Sequence, residues 1–122
     1  MWIHGDLHPG NLVAVGARLV GIIDFGDVTG GDPAYDLAVA WLAFDGDGRR
    51  AFVDATAGRY DDATWVRARA WAAAVASMLA EASDDDPAYA ALGRETLDEL
   101  SPEAFRPLST RRRPRRRPPA RG

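Results

Sequence analysis

The chain has 122 residues, 47% hydrophobic and with no cysteine, which fits one small globular domain and excludes disulfides, thiolate nucleophiles and cysteine metal sites. No apolar run approaches the roughly 18 residues that a membrane span needs, and Met1-Trp2-Ile3-His4 has no basic stretch leading into an apolar one, so the expected compartment is the cytoplasm and no membrane partner is expected. All 15 cations are arginines: eight fall from Arg106 onward, where there is no acid, and seven stand before it against all 18 acids, so a body of net charge −11 carries a basic tail.

In chain order, Trp2-Ile3 is predicted to end a short strand, and His4 to Asn11 to form a polar loop broken by Pro9-Gly10. Leu12 to Val15 and Leu19 to Ile23 are strand-like runs on either side of Gly16-Ala17-Arg18, the spacing of a tight hairpin. The second run leads directly into Asp24-Phe25-Gly26-Asp27, so both polar loops leave the same end of one hairpin. Asp32 suits a helix cap and Pro33 the first helical position, and Ala34, Leu37, Ala38, Trp41 and Leu42 fall on one helical face. Gly46 to Gly48 are expected to break this pattern before a shorter helix from Arg49 to Ala57, ended by Gly58. A long helix follows from Ala63 to Ala82 with Asp62 as its cap. Every residue from Ala70 to Ala76 is apolar, which predicts burial on most sides. Asp86-Pro87 opens a last helix to Leu100, and Ser101-Pro102 suits one more turn. From Arg106 arginine and proline dominate, which predicts a folded unit over 1–105 and a disordered tail over 106–122.

The chemistry concentrates near the start. Asp6 stands five positions before Asn11, and Asp24-Phe25-Gly26 follows thirteen residues later at the end of a strand. Kinases use this order: an Asp catalytic loop with an Asn, then Asp-Phe-Gly. Transfer of a phosphoryl group develops negative charge and needs Mg2+, a hard ion that prefers oxygen ligands. Asp24 offers a charged oxygen and Asn11 a neutral amide oxygen. Asp6 would take the proton of the acceptor hydroxyl, a contribution of about 10²- to 10⁴-fold. The expectation is that the side-chain oxygens of Asp6, Asn11 and Asp24 converge about one divalent cation.

Each residue also has a plainer reading. Asp6 and Asn11 flank a Pro-Gly turn, where Asp and Asn are common. Asp24-Phe25-Gly26 could simply end a strand, and Asp32 could be only a cap. Asp36 could serve the positive end of its helix, worth about 0.3–1 kcal/mol. His8 reads as a loop residue rather than a metal ligand, because no second histidine follows it at ligand spacing. The joint order of these residues on one hairpin is what favours the kinase-like reading.

The runs HGDLHPGN, IIDFGD and GGDPAYDLAVAW resemble the aminoglycoside phosphotransferase family, which is related to choline kinase and shares the protein-kinase-like fold. The likeness is specific over roughly Trp2 to Trp41 and general beyond. It implies an α+β, mostly helical C-terminal catalytic lobe whose small hairpin carries the catalytic and metal loops. By the same resemblance Asp6 is the catalytic aspartate and Asn11 and Asp24 bind Mg2+. His4 would buttress the loop, Asp36 would hydrogen-bond back to it, and Asp27 would have a weak supporting role near the ion. The implied activity is transfer of the terminal phosphoryl group of ATP or GTP to a hydroxyl of a small molecule such as an aminoglycoside.

A glycine-rich strand pair and a phosphate-gripping lysine complete that machinery elsewhere. This chain has no lysine, and no nucleotide lobe precedes Trp2, so a truncated catalytic lobe is expected. Positioning supplies about 7–11 kcal/mol of barrier lowering, so turnover by the isolated chain is expected to be negligible. The alternative is a non-catalytic remnant whose arginine-rich tail binds nucleic acid or another polyanion. On composition a solvated extension is the favoured reading of that tail, and the absence of aromatic residues after Phe105 weakens specific single-strand recognition.

Overall fold

A computed structural model describes residues 1–101, which form an α+β fold with a small β-rich segment followed by five helices. The strands are β1 (Trp2–Ile3), β2 (Leu12–Val15), β3 (Arg18–Ile22) and β4 (Thr29–Gly30). The predicted hairpin is the antiparallel β2–β3 pair, in register Leu12↔Ile22 and Val15↔Arg18, with an irregularity between Val13 and Ala14. Arg18 therefore belongs to the strand, and the turn proper is Gly16-Ala17. The second pair, β1 with β4, has no counterpart in the sequence reading: Trp2 faces Gly30, Ile3 faces Thr29, and Gly31 donates to the Met1 carbonyl at 2.9 Å. This pairing folds the first 31 residues into a closed circuit that brings the two polar loops together.

The helices are α1 (Ala34–Leu37), α2 (Val39–Leu42), α3 (Gly46–Ala55), α4 (Asp62–Ala82) and α5 (Pro87–Leu100). The single helix expected from Ala34 to Leu42 is two short ones. At Ala38 the bonding tightens to i→i−3, with Ala38 donating to Tyr35 and Trp41 donating to Ala38. Asp32 does take the capping role, accepting from Ala34 N–H at 3.1 Å. Gly46 to Gly48 do not break the helix; they form the first turn of α3, because Asp45 caps it through Gly48 N–H at 2.8 Å. The cap of α4 is Asp61 rather than Asp62, its carboxylate accepting from the N–H and hydroxyl of Thr64. Asp86 caps α5 as expected.

The core lies where α1, α2, α4 and α5 meet, and is built of Ala34, Leu37, Ala38, Ala40, Trp41, Ala68, Ala72 and Leu100. The expectation that α4 is buried on most sides does not hold. Its buried positions are Thr64, Ala68, Ala72 and Ala76, a stripe repeating every four residues, while Val66, Trp71 and Met78 are exposed. Alanine's short side chain lets neighbouring backbones approach along that stripe. Gly93 of α5 sits so close to the backbone of Ala76 and Ala80 that a Cβ there would collide. Arg69 donates to the Leu100 carbonyl at 2.7 Å, placing a cation at the negative end of α5. Together these contacts run α5 back along α4. Trp65 gathers Trp41, Phe52 and Tyr60 edge-on beside the core. The expected turn at Ser101-Pro102 and the tail from Arg106 lie outside the described residues.

Candidate active site

The loop after β1 is tied down at both ends by side chains. Asp36, in the first turn of the helical body, accepts from His4 N–H at 2.6 Å and from Gly5 N–H at 3.0 Å. Its carboxylate thereby satisfies two backbone donors that no strand could serve. His4 is buried, and its imidazole bridges the two loops: Nδ1 accepts from Asp6 N–H at 3.2 Å, and Nε2 donates to the Ile23 carbonyl at 2.9 Å. Both bonds together fix the tautomer with its proton on Nε2. Phe25 packs against the same ring at 4.8 Å between centroids.

Gly5 holds φ of +88°, and its Cα lies against the Asp27 carbonyl so closely that a Cβ would not fit. Only glycine meets both demands. This is how Asp27 enters the site, by its backbone against the loop.

Asp6 and Asn11 are in direct contact. The buried Asn11 donates through Nδ2 to the Asp6 carbonyl at 2.8 Å and to Asp6 Oδ2 at 3.2 Å. Asn11 ends a short 3₁₀ turn, Pro9–Asn11, whose cap is His8. The Asp6 side chain keeps 44% of its surface open to solvent. Asp24 follows the last tie between the loops: Ile23 N–H donates to the Asn11 carbonyl at 3.0 Å, extending the β2–β3 ladder by one bond. Asp24 itself has φ of 60° and ψ of 65°, the one non-glycine residue with positive φ among those described, and it is exposed. No hydrogen bond or ion pair occupies its carboxylate among the described residues. No group of three or more His, Asp or Glu side chains that could hold a metal ion occurs among them either, and no contact joins the Asp24 carboxylate to Asp6 or Asn11.

His8 is closer to this chemistry than its spacing suggested. Its Nε2 stands 3.5 Å from Asp6 Oδ2, and Tyr89 of α5 meets its ring edge-on. The two-residue separation from Asp6 was visible in the sequence; the contact with a helix 81 positions later was not.

Away from the loops, Arg67 grips Asp32 with Nε at 2.7 Å and Nη2 at 3.3 Å, tying α4 to the start of the helical body. That hydrogen bonding, with the Ala34 N–H, holds the Asp32 carboxyl below its usual range, and the Asp32 partner raises Arg67. Asp61 is lowered in the same way by the Thr64 hydroxyl and N–H.

The family model described as the phosphotransferase enzyme family matches residues 1–71. The match spans more than half of the chain and includes both polar loops and Asp36. The protein belongs to this phosphotransferase family. No curated protein and no solved structure matches it. Among the described residues no helix is long and apolar enough to cross a membrane.

Proposed function

We propose that this chain is a kinase-type catalytic lobe, comprising residues 1–105, that serves transfer of a phosphoryl group from ATP or GTP to a hydroxyl of a small cytoplasmic molecule. Aminoglycosides are the type of acceptor that the resemblance suggests, with choline-kinase-like acceptors as relatives. The acidic body of the protein suits a cationic acceptor. The observation that carries the reading is the Asp6–Asn11 contact: one loop presents a partly open carboxylate beside an amide whose orientation is already fixed.

In this reading Asp6 accepts the hydrogen bond of the acceptor hydroxyl, aligns its oxygen and takes its proton as the new P–O bond forms. Asn11 spends Nδ2 on the Asp6 carbonyl, which leaves Oδ1 as the atom it can offer a cation. Asp24 brings a carboxylate with no competing partner among the described residues, on a left-handed backbone that costs of order 1–2 kcal/mol to hold. An amide and a carboxylate oxygen are ligand types that Mg2+ takes, and the ion when bound would neutralise charge developing on the phosphates. His4 and Asp36 keep the loop in place, and Asp27 stays a supporting acid beside Gly5. With no lysine in the chain, the phosphates are left to arginine or to another polypeptide segment.

Titrating Mg2+ into the labelled protein should shift the Asn11 and Asp24 NMR signals together, and Asp24→Asn should weaken that binding at least about tenfold, the loss of one charged ligand. Signals that stay still at millimolar Mg2+ would overturn the metal assignment. Wherever nucleotide-dependent transfer is assayed, Asp6→Asn should lower kcat by about 10²- to 10⁴-fold with the fold intact.

A further inference from the structure

Resting on the reading of Asp6 as the base, we propose that His8 is a positioning residue for the Asp6 carboxylate and that Tyr89 of α5 seats it there. The hydrogen bonds define the ring's state. His8 Nδ1 accepts from Gly10 N–H at 3.1 Å, so the neutral imidazole carries its proton on Nε2. That nitrogen stands 3.5 Å from Asp6 Oδ2 and 3.3 Å from Asn11 Nδ2. Asn11 Nδ2 is itself a donor, already committed to Asp6, so the group able to receive the His8 proton is Oδ2. This one carboxylate oxygen thus accepts a hydrogen bond from Asn11 at 3.2 Å and has the His8 N–H beside it at 3.5 Å, an electrostatic contact longer than a hydrogen bond. Its twin, Oδ1, is the oxygen left for an incoming hydroxyl. One hydrogen bond and one polar contact on the same oxygen restrain the carboxylate from turning, which is what a base needs to meet its proton in line.

The ring is held from behind. Tyr89 approaches it edge-on, with centroids 5.7 Å apart and planes at 77°. The Tyr89 hydroxyl also lies directly over Gly10, leaving no room for a Cβ there; such a Cβ would stand 2.7 Å from His8 Cε1 as well. Gly10 is therefore the gap through which α5 reaches the loop. Tyr89 falls outside residues 1–71, so this support comes from a part of the chain to which the family match does not extend. It also makes the orientation of the base depend on how α5 packs against α4.

The test uses isotopically labelled 122-residue protein. Imidazole ¹⁵N shifts of the unaltered chain should show His8 protonated at Nε2 and bare at Nδ1. His8→Leu should move the Asp6 carboxylate ¹³C and Asn11 side-chain amide signals, and His8→Gln, which can aim an N–H at Oδ2, should bring them back toward their original positions. Tyr89→Ala and Gly10→Ala should move the same signals while circular dichroism stays unchanged, and Tyr89→Phe, which keeps the ring, should move them less. In a transfer assay His8→Leu should lower kcat about ten- to a hundredfold with KM unchanged. A His8 ring protonated at Nδ1, or Asp6 and Asn11 signals that ignore both His8→Leu and Tyr89→Ala, would overturn the proposal. Because the spectrum of the unaltered protein is decisive by itself, a variant that fails to fold does not rescue it. Loss of the Mg2+ response with these couplings intact would instead count against the phosphotransfer reading alone.

Discussion

The first 31 residues and the helices that follow are held together by different forces. In the helical body Ala34, Ala68, Ala72 and Ala76 are completely buried, and Trp41 and Leu100 close the core around them. In the β-rich segment Val15, Val20, Ile23 and Phe25 remain exposed, and just two side chains, His4 and Asn11, are buried. Both of those are polar; His4 is hydrogen-bonded across to the second loop and Asn11 within its own. A two-stranded hairpin has too little area to be stable by itself. Here the segment that carries it is fastened to the body by Asp36, which holds the His4 and Gly5 N–H groups, and by Tyr89 against His8. The lesson is that the candidate site is positioned by directional bonds, while the platform beneath it is stabilised by burial.

Attacking the platform should have the largest effect. Trp41→Ala removes a core ring that also touches Trp65 and Arg49, and should cost about 3–5 kcal/mol, seen as a lower midpoint in chemical denaturation. If the stability is unchanged, burial is not what holds the body together. A smaller effect is expected at the fastening. Asp36→Ala strands the N–H groups of His4 and Gly5 and should cost about 1–3 kcal/mol, with amide hydrogen exchange accelerating at residues 4–6 before it does in α4. Uniform acceleration over both regions would mean that the segment and the body open as one unit.

The smallest effect is expected at the surface tie between Asp32 and Arg67. The Arg67 hydrogen bond, and after it the Ala34 N–H, holds the folded carboxyl of Asp32 below the usual carboxylate range. Its contribution is therefore complete above the unfolded value and is lost as pH falls through the lowered folded one. Asp32→Asn should be less stable than the parent at neutral pH, and the two should converge in acid. Added salt should shrink the neutral-pH difference, because the pair is solvent-exposed. A difference that persists unchanged into acid would assign the effect to the cap geometry alone.

The sequence by itself determined the hairpin, the last helix and the grouping of the two polar loops, because these follow from short-range signals. Alternating apolar runs around Gly16-Ala17 can pair in few ways, and an Asp-Pro step starts a helix wherever it lies. The order Asp6, Asn11, Asp24 was legible for the same reason, as was the likeness to a phosphotransferase. Local signals misled where another signal, local or tertiary, outweighs them. Three residues containing two glycines became the first turn of α3 because Asp45 capped them, and an all-apolar stretch of α4 left Trp71 exposed because one alanine stripe sufficed for packing. Only the tertiary structure decided that β4 returns to β1, that Gly5 must accommodate the Asp27 carbonyl, and that Tyr89 reaches His8. Each joins residues far apart in the chain, and a contact of that kind is set by how whole elements dock, which no local residue pattern encodes.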